Sequence, residues 1–159
     1  MAHAKGMCAI TNPLVNSYKR INTGFDAPKE IAWSKKNENV LLRLHTRLGE
    51  DTKVEIRFPD SAANPYLAIA VCIAAGLDGI ENHISAGKMY RELKEEGAKL
   101  ERLPETLREA INEIKKDALM EETLGKEFLD VYVDAKKAEW KEYLDEVTDW
   151  EVVKYLNRV

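Results

Sequence analysis

Cysteine is scarce, glycine is thinly spread, and no apolar run is long. Cys8 and Cys72 are the only two cysteines among 159 residues. Neither has a Cys or His partner at metal-ligand spacing, which fits a reducing compartment better than a disulfide or zinc framework. The longest apolar run, Leu67 to Leu77, covers eleven positions, where a membrane-spanning helix needs about 20. No basic segment leads into an apolar stretch after Met1, so no secretory signal is expected. The expectation is a cytoplasmic chain without a membrane partner. The eight glycines form no phosphate-cradling loop, and no Ser/His/Asp or Cys/His set can be assembled. A net charge of −4 and a pI near 5.5 lack the basic excess that nucleic-acid binding needs.

What is there is a folding composition, with 45% hydrophobic and 33% charged residues, enough for one domain with a single core. Charge is uneven. The first 80 residues hold 10 Lys and Arg against 8 Asp and Glu; the remainder hold 14 against 20. Small anions would therefore bind in the first half. Four of the five prolines, Pro13, Pro28, Pro59 and Pro65, also fall there, among short alternating segments. Residues 1–60 thus read as strands and loops, and 61–159 as helices, an α+β order with antiparallel strands expected.

Lys53 to Phe58 is the clearest strand, because Val54, Ile56 and Phe58 alternate with Lys53, Glu55 and Arg57, one set for the core and one for the open face. Leu41 to His45 and Glu30 to Ser34 read as two more strands. Asn64-Pro65 supplies an N-cap and a first-turn proline to a helix so apolar that burial on all sides is expected. Pro104 opens a helix with Leu107, Ala110, Ile111 and Ile114 on one face. After Gly125, Leu129, Val133, Trp140, Leu144 and Val147 keep helical spacing. Thr148 and Glu151 form a capping box for a last helix to about Asn157, whose Trp150, Val153 and Leu156 call for a partner surface.

Chemistry concentrates on Lys19 and Arg20, on Arg43, and on Lys53, Glu55 and Arg57, the last three spaced about 7 Å apart along a strand face. A carboxylate between two cations is compatible with a plain salt-bridged sheet face. The functional reading is an anion site in which arginines fork onto carboxylate or phosphate and the glutamate holds a hard cation through oxygen. His3, His45 and His83 lack paired spacing and read as surface or packing residues. Tyr90 reads as an ordinary helix tyrosine.

Longer motifs carry more. His3-Ala4-Lys5, Ala9 through Arg20 (AITNPLVNSYKR), Gly24 through Pro28 (GFDAP), Val54 through Asp60 (VEIRFPD), Ala63 through Ala68 (ANPYLA) and Ala75 through Ile80 (AGLDGI) together resemble the C-terminal part of the catalytic domain of class I glutamine synthetases. The resemblance extends over essentially the whole chain. It implies half of that family's catalytic sheet followed by a helical bundle, with the N-terminal β-grasp domain and the first part of the catalytic domain lying outside this sequence. The implied reaction uses ATP to phosphorylate the γ-carboxylate of glutamate and lets ammonia displace the phosphate. By the same resemblance, Arg20 binds the glutamate carboxylate and Arg57 holds its reacting end. Glu55 is a ligand for Mg²⁺ or Mn²⁺, Arg43 and Lys53 face the ATP phosphates, and Asp26 lies in the flap that closes over glutamate. A homo-oligomer of stacked rings is implied for the full-length protein, and inactivity for this part alone.

Three positions depart from the family pattern. Asp26 stands for the usual flap Glu, Glu38 for an Arg beside the transferring phosphoryl group, and Lys53 for an Arg, which keeps charge but loses the bidentate fork. They leave open a γ-glutamyl ligase for another amine, and a non-catalytic assembly module is the third reading.

Overall fold

The computed structural model describes residues 1–23, 27–36, 38–45 and 52–156. In chain order the elements are α1 (Ala4–Thr11), α2 (Val15–Thr23), β1 (Trp33–Ser34), β2 (Leu42–His45), β3 (Lys53–Ile56), α3 (Pro65–Glu81), α4 (Tyr90–Glu95), α5 (Leu107–Ile114), α6 (Ala118–Leu124), α7 (Lys126–Asp145) and α8 (Asp149–Tyr155). The class is α+β, a three-stranded sheet beside a mostly helical body. No described helix is long and apolar enough to cross a membrane.

The first 60 residues are not all strand and loop, since α1 and α2 occupy them. The reason is burial. From Met7 to Thr11 every residue of α1 is buried, as are Ala4 and Gly6, so this short helix has no polar face to mark a helical period. It is the centre of the core, packed against α5 and α3. Cys8 is fully buried there, and both cysteines are free. Buried polar groups at its end are satisfied locally: Thr11 Oγ1 donates to the Met7 carbonyl at 3.0 Å, and Asn12 Nδ2 donates to Thr11 Oγ1 at 3.0 Å. Tyr132 of α7 closes the other side, its hydroxyl donating to the Ala9 carbonyl at 2.6 Å. His3 ties three elements together, with Nε2 2.9 Å from Asp78 of α3 and Nδ1 3.0 Å from Asp117, the N-cap of α6.

The sheet is mixed rather than antiparallel throughout. β2 and β3 pair antiparallel, Arg43 opposite Glu55 and His45 opposite Lys53, but β1 runs parallel to β2. The Glu30 to Ser34 strand shrinks to Trp33–Ser34, with Glu30 in an isolated bridge to Arg102. On β3 the expected core row fails in part: Phe58 is buried, whereas Val54 is 62% exposed and Ile56 37%. Period two places side chains on one face; it cannot supply the layer that covers them.

The helical half follows its local signals more closely. Asn64 Oδ1 caps α3, accepting from the Tyr66 and Leu67 amides at 3.0 and 3.3 Å, with Pro65 in the first turn. Thr148 and Glu151 make the reciprocal capping box of α8. Leu107, Ala110, Ile111 and Ile114 are all buried, and Leu129 and Val133 of α7 join the same core. Burial of α3 on all sides is overturned, for Val71 is its one buried residue. Leu144, Val147, Trp150, Val153 and Leu156 are exposed; Asn157 lies outside the described residues.

Candidate active site

The β2–β3 hairpin register builds the site. Because Arg43 stands opposite Glu55 on an antiparallel pair, both side chains share a sheet face. Residues two further along each strand, His45 and Arg57, join them. The Glu55 carboxylate is thus held from three sides. Arg43 Nη1 lies 3.1 Å from Oε2, Arg57 Nε 3.3 Å from Oε1, and His45 Nε2 2.8 Å from Oε2. The hydrogen bond from His45 comes first among the causes that hold this carboxyl below the usual carboxylate range, with the charges of Arg43 and Arg57 adding to it. One anion against two guanidinium groups leaves excess positive charge on this face, the condition for attracting a second anion.

The arginines are braced from behind. Arg57 Nη1 donates to the Glu38 carbonyl at 3.2 Å and to Asn39 Oδ1 at 3.2 Å, and Arg43 Nη2 donates to the same Glu38 carbonyl at 3.4 Å. Glu38, the acid at a position where the resemblance implies arginine, therefore contributes its backbone to both guanidinium groups, while its carboxylate accepts from the Ser34 hydroxyl.

Arg20 sits apart, on α2. Its Nη2 donates to the Phe58 carbonyl at 2.8 Å and to Asn12 Oδ1 at 3.2 Å, while its Nε lies 4.0 Å from Asp60 Oδ2. Burial works against the charge of Asp60, but hydrogen bonds from the Ala62 amide and from Ser17, with the charge of Arg20, outweigh it and lower its pKa. Arg20 thus pins the chain just beyond Arg57 to the core, and its tie to the site runs through backbone. Lys53 is exposed at the start of β3, opposite His45. Asp26 lies outside the described residues. Of the residues singled out in the sequence, then, Arg43, Glu55 and Arg57 come together, and Arg20 and Lys53 flank them.

His45 is the member that sequence reasoning passed over as a surface or packing residue. Its signal was the period-two step from Arg43 on the same strand, which requires the same face. His3 is a packing residue, as its bonds to Asp78 and Asp117 show. A divalent metal needs several oxygen donors. Among the described residues no three His, Cys, Asp or Glu side chains converge, and the Glu55 carboxylate is already engaged by Arg43, Arg57 and His45. A metal does not fit on the described residues alone.

A mostly helical body beside a small sheet, with two arginines flanking one carboxylate on a strand pair, makes a candidate anion site. The family model described as the glutamine synthetase catalytic domain matches residues 1–155, and the chain belongs to that family. It is 42% identical to the glutamine synthetase of Methanocaldococcus jannaschii over 98% of its own length and 36% of that protein. It superposes on ligand-free GmaS with a TM-score of 0.81 at 34% identity, and on a GmaS/ADP complex with 0.82 at 33%. These matches cover 98% of this chain and 36% and 37% of the GmaS chains. The chain spans about a third of the length of the curated relatives it matches.

Proposed function

We propose that this chain is the carboxyl-terminal part of a glutamine synthetase catalytic domain, supplying glutamate-binding and phosphate-binding residues to a ligase that makes glutamine from glutamate, ammonia and ATP. The supporting observation is the Arg43–Glu55–Arg57 cluster on β2 and β3, in a chain matched by the family model almost end to end. Such chemistry needs positioning and fixed positive charge more than covalent assistance. Arg57 orients the reacting carboxylate of glutamate, and Arg43 offsets charge on the phosphates, with Lys53 as a further cation beside them. Arg20 contributes to the glutamate carboxylate and holds the strand end that carries Arg57. Asp26 serves the flap that keeps water from the activated carboxylate. Glu55 supplies one oxygen ligand to a Mg²⁺ or Mn²⁺ site completed by residues beyond the described ones. ADP, the nucleotide in the GmaS complex, is the form ATP takes once its terminal phosphate has moved to glutamate.

Half a site does not turn over, so the chain alone is inactive, and activity returns when the complementary part is present. The full assembly is a cytoplasmic homo-oligomer of stacked rings, for which Trp150, Val153 and Leu156 offer exposed apolar surface. The test joins the complementary part of the M. jannaschii enzyme to this chain and measures ADP release with glutamate and ammonium. Ammonium-dependent release, absent from the chain alone, supports the reading. Turnover by the isolated chain overturns the half-site claim. An amine screen in the same assay decides the second reading, motivated by Glu38: preference for a larger amine over ammonium would reassign the acceptor.

A further inference from the structure

The Asn39 side chain joins two segments of the candidate site. Its Nδ2 donates to the Ala27 carbonyl at 3.2 Å, and its Oδ1 accepts from Arg57 Nη1 at 3.2 Å. One amide orientation serves both bonds, because the flipped group would set its NH2 against the guanidinium and its oxygen against the carbonyl. The core holds both ends of this bridge. Ala27 is fully buried, as are Val40 and Leu41, which follow Asn39 in the chain. The Arg57 amide donates to the Leu41 carbonyl at 3.0 Å, so backbone pairing two residues away fixes the span that the Asn39 amide crosses.

Glu38 alone cannot orient Arg57. Its carbonyl receives the Val40 amide at 2.9 Å, Arg57 Nη1 at 3.2 Å and Arg43 Nη2 at 3.4 Å, three donors for two lone pairs. Asn39 gives Nη1 a second acceptor, while Arg57 Nε lies 3.3 Å from Glu55 Oε1. A planar guanidinium held from these three directions is fixed in its plane. Loss of Asn39 returns Nη1 to its share of the crowded Glu38 carbonyl. The amide also does what an acid could not: it holds Arg57 without cancelling the positive charge that attracts an anion.

From this bridge we infer that Asn39 is a positioning residue for glutamate: by spanning the Ala27 carbonyl and Arg57 it sets the direction in which that guanidinium meets the reacting carboxylate. The inference rests on the proposed function, in which Arg57 orients that carboxylate, and adds a residue to it.

NMR of isotope-labelled arginine side chains in the chain itself measures hydrogen exchange at Arg57 Nε, the resonance assigned by its loss in Arg57→Lys. In the chain joined to the complementary part of the M. jannaschii enzyme, glutamate titration followed at the same resonance gives Kd, and ammonium-dependent ADP release gives KM and kcat. Asn39→Ala should speed the exchange about fivefold and raise Kd and KM for glutamate about tenfold, the loss of one charge-assisted hydrogen bond. Lost binding common to ground and transition states raises KM and leaves kcat nearly unchanged. The urea midpoint should move little, since Asn39 is exposed. Asn39→Gln, which keeps the amide, should recover part of the affinity. Asn39→Asp should keep exchange slow yet weaken glutamate binding, because its charge offsets that of Arg57. Parent exchange and parent KM in Asn39→Ala overturn the inference and leave the proposed function standing. A lower urea midpoint with unchanged KM makes Asn39 a structural link only and overturns it as well. Glutamate binding weakened as expected in a joined protein without ammonium-dependent turnover would refute the proposed reaction and leave the role of Asn39 standing. A folded joined protein that binds no glutamate overturns both.

Discussion

Replacing Arg20 by alanine separates support from chemistry. The guanidinium donates to the Phe58 carbonyl at 2.8 Å and to Asn12 Oδ1 at 3.2 Å, and Asn12 is fully buried. Removal leaves a buried amide oxygen without its donor, at about 1–3 kcal/mol, and takes a charge-assisted bond from the Phe58 carbonyl, at about 1.5 kcal/mol. Water reaching the partly exposed Arg20 position recovers some of this. The expected loss is about 2–4 kcal/mol, or about 4–16 °C in Tm for a chain of this size. Urea unfolding followed by tryptophan fluorescence and circular dichroism reads it, with an unchanged denaturant slope required for the comparison. Arg43→Ala removes an ion pair whose arginine is largely buried but whose glutamate stays 40% exposed and hydrated, and should cost less than Arg20→Ala, about 1–2 kcal/mol. Arg20→Lys should recover part of the loss, since one ammonium cannot reproduce the fork. An Arg20→Ala chain within about 0.5 kcal/mol of the parent would refute the bracing argument.

Gly6→Ala places a Cβ 2.5 Å from Asp117 Oδ2 and 2.9 Å from its Cβ. The helix-propensity gain of about 1 kcal/mol is offset by about 1–3 kcal/mol of overpacking and by disturbance of the α6 cap, so the urea midpoint should fall; an unchanged or raised midpoint defeats the packing claim. Burial opposes charge on His3, but the hydrogen bonds that its ring donates to Asp78 and Asp117 prevail and raise its pKa. A raised folded pKa stabilises fully below about pH 6.5, the unfolded value, and that contribution is lost as pH climbs through the folded pKa. Urea midpoints of the parent should therefore decline over that interval relative to His3→Gln, and parallel pH curves would dismiss the bridge. Thr148→Ala removes the cap of α8, where Thr148 Oγ1 accepts from the Glu151 amide at 3.3 Å. Amide hydrogen exchange in 149–155 should accelerate about fivefold, the equivalent of about 1 kcal/mol; unchanged exchange would show that the cap contributes nothing.

Much of the helical half was legible because its signals are local. Asn64-Pro65, Thr148 with Glu151, and the Leu107, Ala110, Ile111, Ile114 face each act within one or two turns, and each appears where the sequence places it. The pairing of Glu55 with Arg43 and Arg57 was half legible: period two put Glu55 and Arg57 on one face, but nothing along the chain states which strand lies opposite. Register decided that, and with it brought in His45. α1 escaped notice since a short helix enclosed by core has no amphipathic period, and its identity as a helix depends on what surrounds it.

Sequence by itself determined the family, the α+β class and the identity of the charged residues, because motifs and caps are written in adjacent positions. Tertiary structure alone decided that Arg20 serves as a brace, that β1 runs parallel to β2, and that α3 shows a second apolar face. Those outcomes depend on contacts between residues far apart in the chain. Whether an apolar side chain is covered is settled by the layer opposite it, and for Tyr66, Ile69, Ile73, Leu77 and Ile80 no such layer is among the described residues.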